Sequence, residues 1–414
     1  MIKFILNIFS PYAHPLEKRV DKFFKKIKST SNKQKIQKEL ESLMQKNLVV
    51  TNLWMEKKYK NYKYLKKRIR RKMYENTDVL NKEFDQFAKE HQINENHLRG
   101  EIGKHGLDYQ DRHSEKLKCL AQIMAFFKPG DKYEYQESAN FGRLLNKEKC
   151  VGDCNQIVTF YIYFYSRKFP VSDLKIKILP GHVCLHFEGI DIEATNATFH
   201  HYKEFEAILP ITEIISTNLL DITDQTEKTG EIDPRTIVKR AQLAYMISSM
   251  KELVKKNLDI AYRNVGITLM QRKEFKSAIF FFGKLGDREL IGKAYHNAAV
   301  HYLNKKSLSK AQYYADRSGN DDLQKSVTHA KGVKFYNQKN YKKAIPYFKK
   351  IGEERMVKAC YQGQYNQLVK KVKNVKTIED AKKHRSTYNQ MLGLTQKIGN
   401  NEAESYVRGI LGKM

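Results

Sequence analysis

The sequence predicts an α+β chain in three parts: basic helices at the N-terminus, a middle of helices followed by a small antiparallel sheet, and an all-helical C-terminal repeat array. Three observations predict it. Residues 258–351 repeat at a fixed period of the size of a helix hairpin. Leu174-Lys175-Ile176-Lys177-Ile178 alternates apolar and polar as a strand does, soon after an apolar, aromatic helical run at 154–165. Residues 1–76 concentrate Lys and Arg along helical patterns and carry +15 of the chain's net +30.

The basic region, 1–76, reads as three helices. Pro15 opens the first, with Leu16, Val20, Phe23, Phe24 and Ile27 on one face. The second runs from about Ser31, with Ile36, Leu40 and Leu43 in register. The third carries the Lys and Arg residues from Lys57 to Lys72, and Trp54, Tyr59, Tyr62, Tyr64 and Tyr74 are interleaved with them. Two readings stay open. The segment is a face for nucleic acid or an anionic membrane, or it is a solvated helix whose tyrosines pack on a neighbour. No nucleic-acid motif accompanies it.

The middle domain spans 77–222. Its first part is helical, strongly apolar at 117–127 and ended by Lys128-Pro129-Gly130-Asp131. After the strand at 174–178 come two more, 182–187 and 190–194, joined by a tight turn at Glu188-Gly189. Residues 223–234 are polar, hold Gly230 and end on Pro234, so they read as a linker. Residues 235–414 form the helical repeat domain, with capping helices around 258–351. Five cysteines in so long a chain make no disulfide framework. Residues 1–9 are apolar, too short to span a membrane and without the small-residue cleavage site of a secretory signal. The expected location is the cytoplasm.

The repeats align without gaps at a period of 33. Gly266, Ala299 and Gly332 share one column; Phe275, Leu308 and Tyr341 a second; Ala278, Ala311 and Ala344 a third; Phe282, Ala315 and Phe348 a fourth. A small residue in each helix lets the two helices of a hairpin approach, and large residues fill the space between hairpins. This pattern resembles the tetratricopeptide repeat, with Tyr262, Tyr295 and Thr328 where that family has Trp, and without its Pro near the repeat end. The resemblance implies a groove that binds a protein or peptide partner. It puts Arg263, Asn264, His296, Asn297 and Lys331 on the groove-lining helices, the alternative being ordinary exposed polar residues.

Sharper chemistry lies between the basic helices and the repeats. Gly152-Asp153-Cys154, Gly181-His182 and Asp191-Ile192-Glu193-Ala194-Thr195 occur in that order. A thiol nucleophile is favoured at a helix N-terminus, where unpaired N–H groups stabilise the thiolate. It needs a base and a group that orients the base. The three pieces resemble the transglutaminase-like superfamily of papain-fold enzymes, in which Gly-x-Cys opens a helix, Gly-His opens a strand and Asp-x-Thr lies on the next. The resemblance covers about 115–200 and implies Cys154 as nucleophile, His182 as base and Glu193 as the orienting acid. The family's usual Asp is Glu here, and Cys184 stands where an aromatic commonly follows Gly-His-x. Asp191 shares the strand face with Glu193 and is the substitute acid. The backbone N–H groups of Cys154 and Gln156 are candidate oxyanion donors.

Three alternatives accompany this reading: a buried structural thiol, a domain that keeps the fold without turnover, and a zinc site of Cys150, Cys154, His182 and Cys184. The zinc spacing is permitted, although structural sites favour tighter, turn-borne pairs. The expectation is no metal and no cofactor. The function implied is acyl transfer or hydrolysis at a protein or peptide amide, with the repeats recruiting the substrate. The alternative function is a non-catalytic adaptor, with protein-binding repeats and a membrane- or nucleic-acid-binding N-terminus.

Overall fold

The computed structural model describes residues 10–28, 31–137, 140–221 and 233–414. The chain is mostly helical, with a small antiparallel sheet and an all-helical C-terminal region. It divides into two compact units, Met1–Val265 and Gly266–Met414. The apolar stretch at 1–9, and most of the linker expected over 223–234, lie outside the described residues. Among the described residues no helix is long and apolar enough to cross a membrane.

The first unit opens with α1 (Pro15–Lys26), α2 (Lys33–Lys58), α3 (Lys67–Glu90), α4 (Glu95–Gly103) and α5 (Ser114–Phe126). Pro15 sits in the first turn of α1, where a missing N–H leaves no bond unmade. Leu16, Val20, Phe23 and Phe24 are buried, as their period requires. The basic run expected as one helix over Lys57 to Lys72 is instead broken at 59–66. Asn61 takes a left-handed φ of 61° there, which Asn tolerates better than most residues. The turn carries Lys60, Tyr62 and Leu65 into the core. Trp54 is also buried, and Tyr64 and Tyr74 donate hydrogen bonds to Asn140 (2.8 Å) and Glu17 (2.7 Å). Base stacking needs exposed rings; these rings belong to the core. Beneath them lies a buried ion pair. Arg70 Nε and Nη2 donate to the two Glu17 oxygens at 2.7 and 3.0 Å, and its Nη1 donates to the Leu65 carbonyl at 2.7 Å.

β1 (Tyr133–Tyr135) pairs in parallel with β2 (Cys150–Gly152), and the short α6 (Phe141–Leu144) lies between them in sequence. α7 (Cys154–Ser166) follows β2 after a single residue and is buried throughout 156–166, as an apolar helix inside a core must be. It packs on β4 of a five-stranded sheet. The strands are β3 (Lys175–Leu179), β4 (His182–Phe187), β5 (Ile190–Glu193), β6 (Thr198–His200) and β7 (Ala207–Pro210), in the spatial order β6-β5-β4-β3-β7, all antiparallel. β3, β4 and β5 fall where the alternation puts them. β6 and β7 are too short to show a period. Pro180-Gly181 makes the two-residue turn from β3 to β4, with Gly181 at a φ of 68° that an L side chain resists. That turn sets His182 as the first residue of β4. α8 (Glu213–Leu220) and α9 (Pro234–Ile247) then pack together, and α10 (Lys251–Gln271) carries the chain out of this unit.

The second unit holds the repeats. α11 (Phe275–Leu285), α13 (Leu308–Ala315) and α15 (Tyr341–Lys350) start 33 residues apart, and so do α12 (Arg288–Asn304), α14 (Asp321–Asn337) and α16 (Glu354–Val372). The turns repeat as well. Gly286, Gly319 and Gly352 are left-handed at one position of each hairpin, and Lys273, Lys306 and Lys339 at another. α17 (Ile378–Lys383), α18 (Arg385–Ile398) and α19 (Asn401–Lys413) complete the unit.

The helix contacts explain the sequence columns. A Cβ at Gly332 would lie 2.7 Å from the ring of Phe348, and Gly266 faces Phe282 in the same way. The middle repeat carries Ala at both positions, Ala299 and Ala315, and both are fully buried. Gly with Phe and Ala with Ala are two ways of filling one gap. Gly332→Ala is expected to lose about 1–3 kcal/mol to overpacking, against which the helix propensity of Ala returns about 1 kcal/mol. Adding Phe348→Ala recreates the middle repeat's pair. Urea unfolding should show the double variant more stable than the sum of the singles, and simple additivity would contradict this packing.

Candidate active site

Cys154 is the first residue of α7. Asp153 caps that helix: its Oδ1 accepts the N–H of Asn155 at 2.9 Å and of Gln156 at 3.2 Å, while its own N–H donates to Gln156 Oε1 at 3.1 Å. This reciprocal box fixes the backbone that carries the sulfur. Gly152 is needed just before it, because a Cβ there would press on Gln156 and Leu144 at 3.1 Å. Gln156 Nε2 donates in turn to Asp221 at 2.9 Å, and Lys60 stands 3.7 Å from both Asp221 and Glu56. Burial, and then the Asp221 charge, push the Asp153 carboxyl up. Burial likewise pushes Glu56 up to about 7, against the pull of Lys60.

His182 Nε2 lies 2.7 Å from Glu193 Oε2. The Cys154 side chain lines the same cleft and acts electrostatically on the ring. With Nε2 taken by the carboxylate, Nδ1 is the ring nitrogen left for sulfur. The influence of Cys154 and the bond to Glu193 outweigh partial burial and push the imidazole up to about 10. A histidine raised in this way adds stability that is complete below its ordinary value near 6.5 and is lost as pH rises through about 10. Glu193 is itself almost fully buried. Burial would raise its carboxyl, but bonds from His182 and Thr195 win and hold it below the usual range. Thr195 donates from its N–H at 3.1 Å and from its hydroxyl at 2.5 Å, and the Tyr202 hydroxyl donates to Glu193 Oε2 at 2.9 Å.

Asp191, the substitute acid, is taken up by other partners. It is paired with His186 (2.7 Å) and with buried Lys177 (2.6 Å), and it accepts the Tyr202 N–H at 2.8 Å. Strand parity puts Asp191 and Glu193 on one face, but Asp191 sits opposite His186 in the β4–β5 register. Of the two oxyanion candidates, the Gln156 N–H is already donated to Asp153, so the Cys154 N–H is the one left. The zinc alternative finds no site: among the described residues no three His, Cys, Asp or Glu side chains are arranged to hold a metal ion. Cys150 is buried and directed at the Asn146 carbonyl, and burial pushes it up to about 12. Cys184 is raised by burial too. Cys154 is the only one of the five cysteines that is not buried.

Cys154 and His182 border an open cleft of about 370 Å³ within the first unit. No family model matches the chain, and no curated protein matches it. The functional reading therefore rests on the chain's own geometry.

Of the groove residues, Arg263 and Asn264 are exposed on the part of α10 that belongs to the first unit. His296 and Asn297, on α12, line a hollow of about 570 Å³ in the second unit with Arg288 and Lys293; Lys331, on α14, is half-buried and not among its lining residues. Tyr202 and Asp221 belong to no motif. Nothing in their sequence surroundings marks them, because their roles come from strand and helix packing.

Proposed function

We propose that the first unit is a transglutaminase-like cysteine enzyme acting on protein or peptide amides, and that the tetratricopeptide-like repeats recruit its protein substrate. The observation that carries this is His182 held between Glu193 and Cys154 at a helix N-terminus that opens on a cleft. The sulfur attacks the amide carbonyl carbon. The C–N bond then breaks, and the His182 proton passes to the leaving amine. This leaves a thioester on Cys154. Water or an amine attacks it, gives its proton to His182, and the C–S bond breaks to return the thiolate. Glu193 keeps the ring oriented throughout and stabilises its charge in the states that hold the proton.

The acid step needs the imidazolium. It is present below about 10 and is lost above that value. The pH profile of kcat/KM on peptide anilides should therefore fall on its alkaline side near 10. In Glu193→Gln the carboxylate that holds the proton is gone, and the limb should move down by about 1–3 pH units. Identical limbs in the two proteins would count against the reading. So would failure of every peptide anilide and ester to acylate Cys154.

A further inference from the structure

The cleft beside Cys154 and His182 departs in charge from the rest of the chain. The sequence carries a net +30, yet among the described residues no Lys or Arg borders this cleft, while Glu206, Glu213 and Asp221 do. Its walls are aliphatic, with Leu179, Leu209 and Leu253 among them. Glu213 is buried, and the Ser216, Ser248 and Ser249 hydroxyls donate to it at 2.7, 2.8 and 2.7 Å. These donors are neutral, and among the described residues no Lys or Arg pairs with Glu213. Asp221 is partly offset by Lys60 at 3.7 Å. Glu206 stands exposed at the cleft, its backbone N–H fixed to the Ile178 carbonyl at 2.8 Å. An aliphatic wall with uncompensated carboxylates accepts a methylene stem that ends in a cation, and it repels an anion.

We propose that this cleft selects amides whose acyl-side residue carries a lysine- or arginine-like side chain, with Glu206 as the specificity-determining residue. The proposal rests on the acyl-transfer reading above, which puts the reacting carbonyl at Cys154. The test uses the full chain and three peptidyl chloromethyl ketones that differ only in the residue bearing the ketone: lysine, norleucine or glutamate. Norleucine keeps the stem and removes the charge. The Cys154 sulfur displaces chloride, a C–S bond replacing C–Cl, and the rate of labelling is read by intact mass and peptide mapping.

The lysyl reagent should label Cys154 about two- to fivefold faster than the norleucyl one, the size of one exposed charge pair. The glutamyl reagent should be slower than both. In Glu206→Gln, with its fold checked by circular dichroism, the lysyl-to-norleucyl ratio should fall toward one. Norleucyl labelling as fast as lysyl overturns the proposal, and an unchanged ratio in Glu206→Gln overturns the role of Glu206. Iodoacetamide, which has no side chain to place, separates the two levels. If it labels Cys154 while the three ketones show no order, the specificity falls and the acyl-transfer reading stands. If neither it nor any ketone reaches Cys154, both fall.

Discussion

His182→Ala should lower acyl transfer from a peptide amide by about 10²–10⁴-fold, the range for removing one positioned proton donor and acceptor. The residue is bonded to Glu193 and borders the same cleft as Cys154, so its loss removes the proton source for the leaving amine and the neighbour of the sulfur together. Glu193→Gln should cost less, because an amide can still accept from Nε2 and hold the ring while its charge is gone. Tyr202→Phe removes only the hydroxyl that donates to Glu193 Oε2, and its effect should be smaller again. The predicted order is His182 above Glu193 above Tyr202, measured as kcat/KM at neutral pH. A Tyr202 variant worse than the His182 variant would mean that the chemistry does not run through the imidazole.

Arg70→Ala should destabilise the first unit by about 3–5 kcal/mol, since breaking a buried pair leaves an uncompensated charge. Glu17 would remain fully buried, still accepting the Ala13 N–H and the Tyr74 hydroxyl but facing no cation. The Leu65 and Pro11 carbonyls would lose their donor as well. Replacing both partners, Arg70→Met with Glu17→Leu, removes the stranded charge and should recover most of the loss. Urea unfolding of the three variants measures this. A small effect of Arg70→Ala alone would show that the pair is more hydrated than its burial implies.

The sequence made some of this legible and hid the rest for physical reasons. The repeats were legible because a period of 33 is visible in several columns at once. The left-handed Lys273, Lys306 and Lys339 were not, since lysine carries no signal for that backbone conformation. Cys154, His182 and Glu193 could be put in order from motifs and strand alternation. The choice between Glu193 and Asp191 could not, because residues two apart share a strand face and only cross-strand partners decide which one meets His182. The basic N-terminal stretch left two readings open. Aromatics interleaved with lysines have the same composition whether they face a ligand or a core, and here Trp54 and Tyr62 are buried. Asp221, Gln156 and Lys60, which brace the cap behind the sulfur, come from three separate elements and share no motif.

The most direct test of the central claim is a labelling ratio. The full chain is treated with limiting iodoacetamide at neutral pH, and the modified cysteine is mapped in wild type and in His182→Ala. Exposure alone favours Cys154 over buried Cys119, Cys150, Cys184 and Cys360, so the position of the label does not decide the matter. The rate does. If His182 activates the sulfur, Cys154 takes the label in wild type and His182→Ala slows that labelling by about tenfold or more. Equal rates in the two proteins would mean that the imidazole lies beside the sulfur without acting on it, and the enzyme reading would fail.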